Sequence, residues 1–200
     1  SKVFDHKNVS IETLYTMIRY MDVNSDSNHE TIINLLERFN GDPDSFTDVN
    51  GVTLLHMAAG IGNIKLCKRL IKLGAKLNKK DTMNSIPYDY MINSYIQGGL
   101  KNKTFDSLKE LITILKSCDS AQEDYAKSVD KLLYQYEPRF KNIVLYLIDN
   151  INKDNINKGY ENGWTLLHMA IMNCCDSSIL TIVEKLISNG ANINIKSNDG

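Results

Sequence analysis

The chain has 200 residues, a formal net charge of −1 at pH 7 and 42% hydrophobic residues. This composition predicts a soluble folded domain, and a net charge near zero gives no electrostatic argument for binding nucleic acid or a membrane surface. No stretch approaches the ~18 apolar residues of a transmembrane helix. The four cysteines (Cys67, Cys118, Cys174 and Cys175) lack zinc-ligand spacing, which predicts reduced thiols in a cytoplasmic compartment.

The first segment, residues 8–47, predicts two helices separated by a polar turn. Apolar residues recur at helical spacing over about 10–21 and again over about 29–39, and the turn between them is placed at 24–28. The sequence Asn-Gly-Asp-Pro at 40–43 then ends the second helix. Residues 8–47 are therefore interpreted as a helix–turn–helix unit.

A nine-residue motif that occurs twice dominates the rest of the chain. Gly51-Val-Thr-Leu-Leu-His-Met-Ala-Ala59 returns 112 residues later as Gly163-Trp-Thr-Leu-Leu-His-Met-Ala-Ile171, with seven of the nine positions identical. Each copy is followed by an apolar run and then by Gly-Ala, at 74–75 and at 190–191. Such self-similarity indicates a repeat architecture.

These residues resemble the ankyrin repeat, whose signature is G-x-T-P-L-H-x-A-A, a second helix and then G-A-x-x-N-x-x-D. Asp48 and Asp81 both fall on the closing Asp of the signature and lie 33 residues apart, which matches the family period of about 33 residues. The resemblance implies an all-α fold: an ankyrin-repeat solenoid of about five helix-turn-helix units, with divergent repeats and an enlarged middle segment.

The expected repeats span about 8–47, 48–80, 81–118, 119–159 and 160–196, within one domain over 1–200. In the third, Asn84 takes the position of the motif glycine and Asp89 replaces the His, so the hydrogen bonds of that His are in doubt there. Residues 119–159 lack the signature, although helices are predicted over about 121–136 and 138–150. They are interpreted as a divergent fourth repeat, with an inserted helical hairpin as the alternative. A further repeat is expected to begin at Gly200.

Within the motif, each residue type has a structural task. Thr53 and Thr165 are predicted to cap helices, and Leu55, Ala58 and Ala59 are spaced to form one apolar helical face. The resemblance implies that His56 and His168 bond backbone groups within and between repeats, rather than hold a metal or act as an acid or base. No catalytic motif, metal site or cofactor site is recognised in the sequence.

The resemblance also implies a binding surface, formed by the turn tips and by the exposed face of the first helix of each repeat. Carried over position by position, this surface contains Val49, Asn50, Val52, Gly60, Ile61, Thr82, Met83, Ser85, Asn93, Ser94, Glu161, Asn162, Trp164, Met172 and Asn173. Trp164, the single Trp, is the expected anchor, since Trp is enriched at binding hot spots. An apolar patch with Val52, Met83 and Met172 is expected, and packing of Trp164 on the next turn is the alternative. The loop 98–103 is a second candidate, and tolerated drift explains it equally well.

The function implied is a non-enzymatic protein–protein interaction module. It would be monomeric and cytoplasmic, and it would capture a protein partner without binding nucleic acid, a membrane or a cofactor. The divergent repeats are similar to those of ankyrin proteins from poxviruses and intracellular bacteria, which implies a host protein as the partner. The alternative is a regulatory or targeting segment of an enzyme whose catalytic domain lies elsewhere. Binding of a nucleotide or another small ligand between repeats is a third interpretation.

Overall fold

The structure is a computed structural model that describes residues 9–20, 26–39, 41–100, 102–116 and 122–198. These residues form eleven α-helices and no β-strand, and none of the helices is long and apolar enough to cross a membrane. The chain divides into two compact units, Ser1–Cys118 and Asp119–Gly200. The all-helical prediction is confirmed.

The described residues of the N-terminal unit form six helices, which pack in three consecutive pairs. They are α1 (Ile11–Arg19), α2 (Asp26–Arg38), α3 (Leu54–Gly60), α4 (Ile64–Lys72), α5 (Pro87–Ile96) and α6 (Phe105–Leu115). The first predicted turn is too long, because α2 begins at Asp26 instead of near residue 29.

Short polar side chains start four of these helices. The hydroxyl of Thr53 accepts a hydrogen bond from the N–H of His56 (3.4 Å), as predicted for a cap. The amide oxygen of Asn63 accepts from the N–H of Leu66 (3.0 Å) at the start of α4. Ser10 and Thr104 cap α1 and α6 in the same way. Each cap satisfies a backbone donor that the helix itself leaves free.

The first helix of each pair packs on the first helix of the next pair. The second helices pack on one another in the same way. Helix α3 packs on α1 and α5, and α4 packs on α2 and α6. Leu55, Ala58 and Ala59 are completely buried, so the predicted apolar face of α3 is confirmed. The two alanines allow the helices to approach closely. The larger side chains of Leu66 and Leu70 are buried and form the core-facing side of α4.

The C-terminal unit contains α7 (Gln122–Tyr134), α8 (Lys141–Asp149), α9 (Lys153–Ile156), α10 (Leu166–Asn173) and α11 (Ser178–Ser188). A short 3₁₀ turn, Pro138–Phe140, leads into α8. The one-turn helix α9 is not among the predicted elements. Its N-cap is Asn152, whose side chain accepts from the N–H of Asp154 (3.3 Å).

The described part of the predicted fourth repeat, residues 122–159, packs in the same pairwise way as the helices of the N-terminal unit. Helix α7 packs on α10, and α8 packs on α11. The side chain of Asn157 accepts from the N–H of Asn192 (2.8 Å) and donates to the carbonyl of Gly190 (2.9 Å). In the N-terminal unit, Asp44 accepts from the N–H of Lys76 (2.9 Å) in a comparable link. The repeat interpretation and the inserted helical hairpin both remain predictions from the sequence.

Some predicted features lie outside the described residues. They are Met21 at the end of the first helix, the start of the turn at 24–28, Lys101 in the loop 98–103, the segment 117–121 and Gly200.

The motif glycine allows a backbone conformation that other residues adopt only with strain. Gly51 has φ +75°, and a Cβ built on it would lie 3.3 Å from the backbone Cα of Asp81. Asn84 and Gly163, at the equivalent positions, have φ values of +59° and +73°. The prediction that Asn84 substitutes for the motif glycine agrees with this geometry, because Asn tolerates left-handed conformations better than most residues.

We expect Gly51→Ala to lower the free energy of unfolding by about 1–2 kcal/mol, because it adds left-handed strain and a close backbone contact. The matched control is Gly60→Ala. Gly60 lies in α3, and the nearest atom to its built Cβ is 3.8 Å away. The control should raise stability by up to about 0.5 kcal/mol. Urea denaturation followed by circular dichroism measures both, and equal effects of the two substitutions would contradict this account of Gly51.

Candidate partner-binding surface

The first two motif turns are shaped by an aspartate that binds the backbone. In turn 48–52, Oδ1 of Asp48 accepts from the N–H groups of Asn50 (2.9 Å) and Val52 (3.0 Å). In turn 81–85, Oδ1 of Asp81 accepts from the N–H groups of Met83 (2.9 Å) and Ser85 (2.8 Å). One carboxylate thus fixes the conformation of each turn.

Tyrosine hydroxyls bind the same aspartates. Tyr90 donates to Oδ2 of Asp81 (2.8 Å), and Tyr15 hydrogen-bonds to Asp48. Burial alone would raise the pKa of Asp81, but the hydrogen bonds from Ser85, Tyr90 and Met83 outweigh burial and lower that pKa below its usual value. The pKa of Tyr15 is raised to about 12, first by burial and then by Asp48. Both turns therefore hold an ionised carboxylate at neutral pH.

The two turns are joined to each other at their tips. The N–H of Thr82 donates to the carbonyl of Asn50 (2.9 Å). Val49 is 95% exposed and Met83 is 82% exposed. Two large apolar side chains are therefore presented to solvent on adjacent turns whose backbones are fixed by hydrogen bonds. We call Val49, Asn50, Thr82 and Met83 the tip row.

His56 anchors the second of these turns from beneath. Its Nδ1 accepts a hydrogen bond from the N–H of Thr53 (3.1 Å), so Nε2 carries the proton and donates to the carbonyl of Ser85 (3.1 Å). The ring also packs edge-on against Tyr90, with 4.9 Å between the ring centroids. The predicted bonds of His56, within its repeat and to the next one, are both present.

At the start of α5, Asp89 takes over part of the role of the histidine. Its Oδ2 accepts from the N–H of Ile86 (3.0 Å), as Nδ1 of His56 accepts from the N–H of Thr53. The doubt raised by the missing His is therefore resolved for the bond within the repeat, because a carboxylate oxygen can replace the ring nitrogen as acceptor.

The turn at 160–164, in the second motif copy, lacks the aspartate and is built differently. Tyr160 stands at the aspartate position, and both Asn162 (φ +58°) and Gly163 (φ +73°) are left-handed. The N–H of Tyr160 donates to the carbonyl of Trp164 (2.8 Å), and the carbonyl of Asn162 accepts from the N–H of Asn198 (2.9 Å). The hydrogen bond from Asn198 to Asn162 is equivalent to the one from Thr82 to Asn50. The tip of this turn is therefore hydrogen-bonded although the carboxylate is absent.

His168 repeats the bonding of His56 within its own repeat. Its Nδ1 accepts from the N–H of Thr165 (3.1 Å) and lies 2.9 Å from the hydroxyl oxygen of Thr165. Thr165 begins α10 as predicted. His168 is half-buried, whereas His56 is completely buried.

The predicted binding residues fall into three classes of exposure. Val49, Asn50, Thr82, Met83, Glu161, Asn162 and Met172 are exposed, and Gly60, Ile61, Ser85, Asn93, Ser94, Trp164 and Asn173 are half-buried. Val52 is buried, with 8% of its surface exposed. The expectation that Val52 joins an exposed apolar patch is wrong, because its position in the turn points into the core beneath the tips.

Several contributors to this surface have no sequence signal. Tyr90 buttresses the turn at Asp81, yet the equivalent residues of the motif copies are Met57 and Met169. In the C-terminal unit, Ile171 and Ile193 are exposed, and so are Leu180 and Ile187 of α11, a second helix outside this surface. Leu180 and Ile187 belong to the apolar run predicted for α11. The periodicity of this run predicts a helix, but it does not predict which of its apolar side chains are buried.

The described residues offer little reactive chemistry. They contain no group of three or more His, Cys, Asp or Glu side chains that could hold a metal ion. Burial raises the pKa of Cys67 to about 12 and that of Cys174 to about 11, so both are protonated thiols at neutral pH. Cys175 is exposed, Cys67 and Cys174 are buried, and all three are free thiols. Cys118 lies outside the described residues.

We expect His56→Ala to lower the free energy of unfolding by about 2–4 kcal/mol, because it leaves a cavity and removes the partners of Thr53 N–H and Ser85 C=O. His168→Ala should cost less, because the ring is half-buried. Both values come from urea denaturation. An equal or larger loss for His168→Ala would contradict the ranking.

Histidine protonation should also weaken the fold. Burial holds the pKa of His56 below its usual value of 6.5, although Ser85 and Asp81 act in the opposite direction. The folded state favours the neutral ring, so this contribution to stability is complete above about pH 6.5 and is lost as the pH falls through the folded-state pKa. We expect the urea midpoint to fall between about pH 7 and pH 5. The decrease should be smaller in His56→Asn, and the same decrease in both proteins would refute the assignment.

Comparison with known proteins agrees with this geometry. Residues 50–82 and 162–198 match the family model described as "Ankyrin repeat", and these stretches coincide with the two motif copies. No curated protein sequence matches the chain at a significant level.

Among solved structures, the chain is similar to the crystal structure of EF0377, an ankyrin repeat protein. The TM-score is 0.66 at 21% sequence identity, and the match covers 96% of this chain and 88% of the other. The structural likeness shows the fold, which is that of an ankyrin solenoid, and the two stretches that match the family model are ankyrin repeats within it.

Proposed function

We propose that this chain captures a protein partner on its turn tips and first helices. Ankyrin repeats generally serve as protein–protein interaction modules. The observation that carries the proposal is the tip row, in which Val49 and Met83 are 95% and 82% exposed on turns fixed by Asp48 and Asp81. A rigid backbone lowers the entropy lost on binding, and exposed apolar side chains provide surface to bury.

The C-terminal unit contributes a second set of contacts in this proposal. Glu161, Asn162 and Met172 are exposed, and the ring of Trp164 is half-buried beside the same turn. Tryptophan is enriched among binding hot spots. Trp164 is therefore proposed as an anchor residue, and Asn173 as a further contact. Ile61, Ser85 and Asn93 are half-buried and supply the edge of the surface in the N-terminal unit.

The kind of partner is proposed from the resemblance of the divergent repeats to those of other ankyrin proteins. The likeness of the divergent repeats to ankyrin proteins of poxviruses and intracellular bacteria supports a host protein as the partner, met in the cytoplasm by a monomeric chain that acts as an adaptor. A regulatory segment of a larger enzyme would use the same surface on its own catalytic domain. Identification of the bound protein separates these two roles.

The test begins with affinity purification from host-type cells and mass spectrometry, followed by calorimetric titration of the purified partner. The double variant Val49→Ser, Met83→Ser should weaken binding by about 2 kcal/mol or more, and Trp164→Ala by a similar amount. The control is Leu180→Ser, which removes a 69% exposed apolar side chain on α11, a second helix that lies outside the proposed surface.

Circular dichroism must show that each variant keeps its helical content. Unchanged affinity of both the double variant and Trp164→Ala would contradict the proposal. Equal loss of affinity in Leu180→Ser would also contradict it, because the effect would then not be specific to the proposed surface.

A further inference from the structure

Charge is unevenly distributed along this chain, although its net charge is only −1. Residues 61–116 contain ten lysines and one arginine against four acidic residues. The remaining residues must therefore carry a net negative charge. A segment of one sign within a nearly neutral chain produces a local potential that the overall composition conceals.

The lysines of this segment are mostly exposed. Lys65, Lys68 and Lys72 follow one another at i, i+3 and i+7 along α4, so they share one face of that helix. We define the basic surface as Lys65, Lys68 and Lys72 of α4 together with Lys103, all of which are exposed. Lys65 and Lys103 line a common cavity of about 430 Å³, with Glu30 also on its wall.

Half of the acidic residues in the segment are already used inside the fold. Asp81 binds the backbone of its turn and the hydroxyl of Tyr90, and Asp89 is buried at the start of α5. Asp106 and Glu110 are the exposed ones. Glu110 pairs with Lys68 at 2.6 Å, which links the outer faces of α4 and α6. The exposed charge of the segment is therefore strongly positive.

We propose that the basic surface docks an acidic segment of a protein partner, at a place separate from the tip row. The cations are lysine ammonium groups, which act as point charges on flexible stems and accommodate carboxylates in many geometries. The arginine of the segment, Arg69, donates to the carbonyl of Leu36 (3.3 Å). Arg69 therefore serves the packing of α2 against α4.

The same surface is poorly suited to nucleic acid. Single-stranded nucleic acid is held by aromatic side chains on which bases stack, together with positive charge. Among the described residues of the segment, the exposed aromatic side chain is Phe105, at 36%. The tip row supplies no charge of its own, since it consists of Val49, Asn50, Thr82 and Met83. The two surfaces thus differ in chemistry and can be tested independently.

The test uses a fluorescein-labelled oligoglutamate peptide and fluorescence anisotropy with the whole chain. The ridge variant combines Lys65→Gln, Lys68→Gln and Lys72→Gln. The matched control combines Lys127→Gln, Lys153→Gln and Lys196→Gln, three exposed lysines of the C-terminal unit, so that both variants lose the same charge. The wild-type protein should bind the peptide, and binding should weaken as NaCl is raised.

The ridge variant should weaken binding about fivefold or more, and the control less than about twofold. Val49→Ser, Met83→Ser should leave peptide binding unchanged, so failure of this proposal and failure of the tip-row proposal are distinguishable. Absence of binding by the wild-type protein, or equal loss in the control, would overturn the proposal. So would tighter binding of a single-stranded RNA, or of vesicles containing phosphatidylserine, if the ridge variant abolished it.

Discussion

The hydrogen bonds of one buried imidazole connect the helical pairs to the turns of this protein. The ring of His56 accepts from the N–H of Thr53 and donates to the carbonyl of Ser85, 29 residues further along the chain. A buried polar ring is favourable only when both nitrogens have partners. The same contact that satisfies the ring therefore fixes the position of the next turn, and it couples the stacking of helices to the geometry of the exposed tips.

The turns translate this coupling into a surface. Asp48 and Asp81 each bind two backbone N–H groups, and Thr82 donates to Asn50 across the tips. Because the backbone polar groups are satisfied internally, the side chains at the tips have no structural task and are free to vary. This division explains why Val49 and Met83 can be exposed without weakening the fold, whereas Val52, in the same turn, is buried. The tips are uncharged and thus differ in chemistry from the lysines of α4.

The sequence predicts the parts of this structure that depend on local periodicity. The two motif copies, the capping threonines and the apolar face of α3 follow from residue spacing, and Asn84 could be placed at the glycine position by register alone. The contribution of Tyr90 could not be predicted, since it depends on a contact between side chains that no motif position specifies. The burial of Val52 and the clustering of lysines on α4 also escaped prediction, because composition and register do not show which faces are covered.

The central claim is that the ring of His56 is neutral and forms hydrogen bonds through both nitrogens, which link its own repeat to the next turn. The most direct measurement is the tautomeric state of this ring, by ¹⁵N chemical shifts of labelled histidine at neutral pH. The account predicts a protonated Nε2 and an unprotonated Nδ1, with an Nε2–H that exchanges slowly with solvent because it is buried and bonded to Ser85. A protonated Nδ1, a charged ring or rapid averaging between tautomers would contradict it.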